Sequence, residues 1–291
     1  MSKHIILCAD DFAQNEAISE GILSLAKLRR INAISCLVNS VHWNEMHPEL
    51  AGVKQTNFIG LHLNLTFGQP LSAMWRKHEG EGFTGLPRLL KKTYFNTLDL
   101  QVVTAEIQAQ VDIFTHTMHV YPDFIDGHEH VQQLPIVRRA LLNVHTKQMG
   151  HTHHKSDENH DEDHDHPASF FRNTSNGWRD FTSLTSFPKC QLLAMLGGRR
   201  FKRSLVREQI PTNTSFSGIY NFKNAPDYRK YFQRFLQKTH DGGLIMCHPG
   251  QQSRDTLDPL HAYRHHELDY FMADVFLSDL EDNSYLLMNK S

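Results

Sequence analysis

Cysteine is scarce in this chain: Cys8, Cys36, Cys190 and Cys247 are the only four in 291 residues, and no two are close enough for a CxxC motif. Cys8, Cys36 and Cys247 sit inside apolar, strand-like runs, where a buried free thiol is expected. Reduced core thiols suit the cytoplasm. No charge of one sign predominates, because the formal net charge is −2. That removes any broad electrostatic argument for a nucleic acid or membrane partner. Even the basic run Arg199–Arg203 is short and reads as a solvated face. No apolar stretch approaches the ~18–20 residues of a membrane span. Met1-Ser2-Lys3-His4 leads straight into a strand, without the basic region, apolar core and cleavage site of a signal peptide. Neither a GxGxxG nor a P-loop is present. The expectation is a cytoplasmic protein, long enough to bury one large core as a single domain over residues 1–291.

What the chain does contain is an alternation of strand and helix patterns. Residues 4–9 read as a buried strand, and apolar positions Ile18, Ile22, Leu25 and Leu28 mark a helix over 15–28. Strands follow at 33–38, 57–65, 122–126, 169–173 and 243–247. Helices are expected near 42–51 and over 98–118, 135–144, 187–209, 227–238 and 265–281. The stretch after residue 65, with Gly80, Gly82 and Gly85, reads as a long polar loop of the kind that carries function. This order predicts a parallel sheet with helices outside. Both a (β/α) barrel and an open doubly wound sheet place their sites at the C-terminal strand ends, so the pattern alone does not choose between them.

The chemistry is concentrated at those ends. Asp10-Asp11 closes the first strand, and two adjacent carboxylates are costly without a cation or a shared proton. Gly60-Leu61-His62-Leu63-Asn64, Asp126-Gly127-His128-Glu129-His130 and Cys247-His248-Pro249-Gly250 close three others. Each residue alone has a plainer explanation. An Asp of the pair can cap the following helix, Asp126 can orient a histidine ring or cap the turn, and His130 can sit behind His128 without touching an ion. Four segments delivering the same residue types at equivalent positions favour a metal site. Asp11, His62 and His128 form a carboxylate and two-imidazole set that suits a divalent ion without selecting magnesium, zinc or manganese. Asp10 could then accept a proton from water, and His248 is the candidate to protonate a leaving group.

These same segments resemble the YdjC-like carbohydrate deacetylases, the group that includes chitooligosaccharide deacetylase. The carrying residues are Ala9-Asp10-Asp11-Phe12, Gly60-Leu61-His62-Leu63-Asn64-Leu65-Thr66, Asp126-Gly127-His128-Glu129-His130-Val131 with Leu134-Pro135, and Cys247-His248-Pro249-Gly250. Each motif is weak alone, but the four in order are specific. The resemblance implies an irregular (β/α) barrel, a homodimer, and metal-dependent removal of acetyl groups from an N-acetylated mono- or oligosaccharide. It implies Asp11, His62 and His128 as ligands of one divalent ion, with magnesium (Mg2+) favoured over Zn2+ and Mn2+. Asp10 would be the base, left free to face the attacking solvent, and His248 the acid. Arg172 matches a family arginine beside the pocket. Asn64, Arg172 and His130 are the candidate substrate contacts.

Two departures bear on that implication. Ala13 stands where the family usually has glycine, which is tolerable if φ there is negative. Gln132 replaces a family histidine and is a poor metal ligand, so activity could be reduced or redirected. A third feature stands apart. Residues 151–166 hold six His and six acidic residues with no large apolar side chain. The tract reads as a mobile insertion, with metal scavenging as an alternative role. Rival functions are a metal-dependent phosphoesterase or glycosidase on the same barrel, or a non-enzymatic metal-binding protein using that tract. Trp75, Phe83, Trp178 and Tyr220 are candidates for a sugar platform or for core packing.

Overall fold

A computed structural model describes residues 2–154, 169–175 and 197–290. Its centre is β1 (Lys3–Phe12), flanked by β2 (Ala33–Cys36) and β7 (Gly243–Cys247). Outward from β2 lie β3 (Phe58–Leu63), β4 (Phe124–Gly127) and β5 (Phe170–Phe171), while β6 (Phe216–Ser217) lies beyond β7. Every pairing is parallel. A short β8 (Tyr285–Leu287) pairs with the start of β1, on the side that β2 takes up further along. Asn32 holds that junction, donating to the carbonyls of Ile5 and Met288 and accepting from the Leu7 amide.

The sheet does not splay open. A single parallel bridge joins Phe171 of β5 to Thr212, just upstream of β6. The curled, irregular barrel implied by the family resemblance is therefore the observed architecture, and its parallel strands and outer helices match the strand–helix alternation.

Period-2 alternation sorts β1 between two cores. Ile5, Leu7 and Ala9 face outward into the main cluster under the helices. Ile6 and Cys8 face inward with Ala33, Phe124, Phe216, Leu244 and Met246, which fill the barrel. Gly60 is needed for that filling, because a Cβ there would lie 2.5 Å from the Phe124 ring. The inner positions nearer the C-terminal ends are polar instead, and this upper row forms the site.

The helices follow mostly as the sequence predicts. α1 (Glu16–Lys27) starts at Asn15, whose side chain accepts from the Ile18 amide. α2 (Trp43–Met46) runs into a 3-10 turn at His47–Gly52. The polar stretch after β3 is not a structureless loop. It contains α3 (Ala73–Glu79) and α4 (Leu86–Tyr94), anchored by buried Trp75, Leu86, Leu89 and Leu90. Glu106 of α5 (Leu100–Met118) accepts from the Leu71 and Ser72 amides and fixes the entry to α3. α6 (Pro135–His154) starts at the expected proline and extends past residue 144. α7 (Gly198–Arg207) and α8 (Tyr228–Lys238) follow. The helix expected over 265–281 is two helices, α9 (Arg264–Met272) and α10 (Val275–Asp282), broken where Ala273 turns to ψ 148°. Residues 155–166 of the His-rich tract lie outside the described residues, as does Trp178. Among the described residues no helix is long and apolar enough to cross a membrane.

Ala13 does not meet the condition under which it would be tolerated without strain. Its φ is +70°, in the left-handed region, and the residue is fully buried. An L-residue there costs about 1–2 kcal/mol. A buried Ala→Gly change ordinarily loses about 1 kcal/mol or more through chain entropy and the missing methyl. The two effects offset, so Ala13→Gly should melt at or slightly above the wild-type temperature. A clear fall in its denaturation midpoint would contradict the strain assigned to Ala13.

Candidate functional site

Successive residues of a regular strand point to opposite faces, so Asp10 and Asp11 should not share a pocket. The end of β1 is not regular. Ala9 pairs with Ile34 and Phe12 with Cys36, which sets both aspartates against the single residue Ser35. This bulge, with Asp11 at φ +70°, re-aims Asp11 so that both carboxylates reach the barrel mouth. Backbone strain at a bulge beside a site of this kind is a recurrent feature of functional centres.

Three expected partners converge here. Asp11, His62 and His128 offer ligand atoms that all lie within 4.8 Å of one another. His128 Nδ1 is 2.9 Å and His62 Nε2 3.3 Å from Asp11 Oδ1. The other ring nitrogen of His62, Nδ1, is 2.6 Å from Asp126 Oδ1, which also accepts from Ser35 Oγ at 2.5 Å. Asp126 therefore orients His62 from behind, the arrangement that fixes the tautomer of a metal-binding imidazole.

Electrostatics test whether a cation fits. Burial works against charge on His62, yet Asp126 and Asp10 outweigh it and carry its pKa up to about 10. Without an ion, the pocket keeps a proton on this ring. Burial likewise opposes charge on Asp11, but Arg264 and His128 hold its carboxyl well below the usual range. A carboxylate ionised under these conditions, two imidazoles and a site that retains positive charge make a donor set suited to a divalent ion.

Asp10 is not free to face solvent as expected. Both of its oxygens accept from Arg172 at 2.6 Å, and both side chains are buried. Arg172 Nη2 is also 2.6 Å from Asp126 Oδ2, a charge contact without hydrogen-bond alignment, and 2.9 Å from Cys8 Sγ. Arg172 is wholly buried beneath the pocket and its Nη groups are engaged by protein. Gln132 donates to the Arg172 carbonyl at 3.3 Å and so braces that segment.

The other candidates differ in placement. Asn64 is fully buried, and its side chain is spent on the turn after β3: Oδ1 accepts from Thr66 and Phe67 amides, while Nδ2 donates to Asn39 and to the Phe67 carbonyl. His130 lies edge-on to Phe216 with Nδ1 unpartnered, and burial and Arg172 hold its pKa down to about 3. His248 faces the charges of Asp11 and Asp10, but burial prevails and lowers its pKa to about 4. Its Nδ1 is unpartnered.

Trp75 and Tyr220 are buried, and half-buried Phe83 packs on Trp75. The aromatic rings beside the site imidazoles are instead half-buried Phe67, 5.1 Å from His128, and Phe222, 5.4 Å from His248. Ser35, Arg264, Asp258 and Glu267 carry no motif and were not expected at the site.

The family profile described as YdjC-like protein matches residues 4–282. Chitooligosaccharide deacetylases of Yersinia pestis (strain Pestoides F) and Yersinia pseudotuberculosis (serotype O:1b) are each 32% identical over 135 residues, 46% of this chain and 53% of the relative. The matched chain thus spans about half the length of these curated relatives. A solved structure from Enterococcus faecalis V583, provisionally described as a cellobiose-phosphate cleavage protein, shares the fold with a TM-score of 0.66 at 19% identity, covering 99% of this chain and 98% of that one.

Proposed function

Since this chain belongs to the family of YdjC-like proteins, we propose that it is a metal-dependent hydrolase that removes acetyl groups from an N-acetylated mono- or oligosaccharide. The convergence of Asp11, His62 and His128 within 4.8 Å, with Asp10 alongside, carries the proposal. The activity named for the Yersinia relatives supports the substrate class. These three side chains would hold one divalent ion, magnesium first. Bound there, it would polarise the acyl oxygen and acidify a water molecule.

Asp10 is the base in this reading. Arg172 fixes the plane of its carboxylate, and an ionised carboxylate has about four lone-pair positions, so the two taken by Arg172 leave room for a water proton. Arg172 is a positioning residue rather than a substrate contact, because it is buried under Asp10 and Asp126. Asn64 acts in the same way on the loop that carries Phe67. His248 starts uncharged. Negative charge developing at the tetrahedral acyl centre raises its proton affinity, and it then passes a proton to the leaving nitrogen. The proton that Asp10 takes from water makes good, through solvent, the one that His248 gives to the amine; the water oxygen stays on the acyl carbon, and the second water proton is released as the acetic acid ionises to acetate.

Acetate release from a panel of N-acetylated mono- and oligosaccharides, with magnesium, zinc or manganese added to chelator-treated protein, tests the proposal. Metal-dependent acetate is expected, and deletion of residues 151–166 should leave it intact. Release of phosphate or of a shortened sugar would move the assignment to a phosphoesterase or glycosidase. Acetate release lost on deleting the tract would make that tract part of the function.

A further inference from the structure

Two residues one turn apart on α9 reach opposite sides of the site. Arg264 donates to Asp11 Oδ2 at 2.8 Å and is clamped by Asp258, with Nε 2.7 Å from Oδ2 and Nη2 3.0 Å from Oδ1. Glu267 accepts the His248 backbone N–H at 2.6 Å through Oε2, and the Tyr220 hydroxyl at 2.6 Å through Oε1. An i, i+3 spacing puts both on one helix face. All three α9 and clamp residues, Arg264, Glu267 and Asp258, are buried.

The turn held by Glu267 is fixed at its other end too. A Cβ on Gly250 would lie 3.1 Å from Arg264 Cδ, and the Gln251 amide donates to the Ala17 carbonyl. A buried carboxyl is an expensive way to hold one amide and one phenol, and burial pushes this one up to about 7.

We infer that α9 is a strut setting the separation between Asp11 and His248, with Arg264 and Glu267 as positioning residues for the proposed hydrolysis. This rests on the roles proposed above for Asp11 and His248. Glu267 touches His248 directly only through the backbone N–H, so its loss misaims the imidazole without touching the ligand set.

The test uses the full chain. Glu267→Ala should lower kcat about 10- to 100-fold, with KM and the affinities for magnesium and zinc unchanged. Glu267→Gln can still accept the His248 N–H through its amide oxygen and donate to the Tyr220 oxygen, so it should recover most of the lost rate. Hydrogen exchange should speed up in Glu267→Ala over residues 244–252 and not elsewhere. Unchanged kcat with unchanged exchange overturns the role of Glu267. A kcat loss matched by loss of metal affinity or by general melting also overturns it, by making Glu267 merely structural. If the wild-type chain releases no acetate, the hydrolase reading fails, while exchange confined to 244–252 still supports the strut and unaltered exchange still overturns it. Arg264→Lys keeps the charge but not the planar fork. Its metal affinity should fall about 10- to 100-fold by calorimetry, and an unaltered affinity removes Arg264 from the strut.

Discussion

Asp10→Asn is expected to bind its ion normally and to turn over about 10²–10⁴-fold more slowly than the wild type. Asn is close to isosteric and its oxygen can still accept from Arg172, but it cannot take a proton from water. The expectation depends on Asp10 standing outside the ligand set, beside it and paired with Arg172. His128→Ala is the contrasting variant. It removes one of the three proposed ligands, so metal affinity and turnover should fall together. Calorimetric metal binding and acetate release on both variants separate the two roles. A normal rate in Asp10→Asn removes Asp10 from the chemistry, and a lost ion in that variant places it in the ligand set instead. Asn neutralises one partner of a buried pair, so melting curves must accompany the rates.

Arg172→Ala should destabilise the protein by about 3–5 kcal/mol, because it leaves buried charges unpaired. Asp10, Asp126 and the Cys8 sulfur would then face one another without a cation. The cost should also depend on pH in a definite direction. Burial pushes the Asp126 carboxyl up, but Arg172 and then His62 outweigh it and hold it below the ordinary range. A depressed carboxyl contributes stability above its unfolded-state pKa, and that contribution is lost as pH falls through the folded value. Without Arg172 the depression is lost and the buried carboxylate becomes unfavourable at neutral pH, which protonation relieves. The stability difference between wild type and Arg172→Ala should therefore be largest near neutrality and shrink through the acidic range. Urea denaturation at several pH values measures it. A difference below about 1 kcal/mol at neutral pH would mean that water or another cation compensates for Arg172.

Much of the candidate site could be read along the chain because its converging side chains close apolar strand runs. Asp11, His62 and His128 each follow such a run, and parallel strands bring their C-terminal ends to one rim. Arg264 could not be found this way. It lies 253 residues from Asp11 in a helix with no marked apolar face, and nothing nearby in sequence announces its partner. Glu267 was hidden for the same reason, since its contact is a backbone amide. Misreading the stretch after β3 had another cause. Short helices among glycines give too few turns to show a 3.6-residue period, and buried Trp75 and Leu89 become visible as anchors only once α5 is beside them.

Ordering along a chain is enough to specify which segments become strands and which residues terminate them, because apolar period and strand end are local properties. Here that covered the parallel architecture and the three side chains, Asp11, His62 and His128, that converge at its rim. The direction each side chain takes, and the charge that balances it, were set by folding. The bulge at Asp10-Asp11 turned two neighbouring carboxylates into one mouth, and Arg172 engaged the one expected to be free. A buried charge is neutralised by whatever lies within a few ångströms, and in a curled parallel sheet those neighbours come from distant parts of the chain.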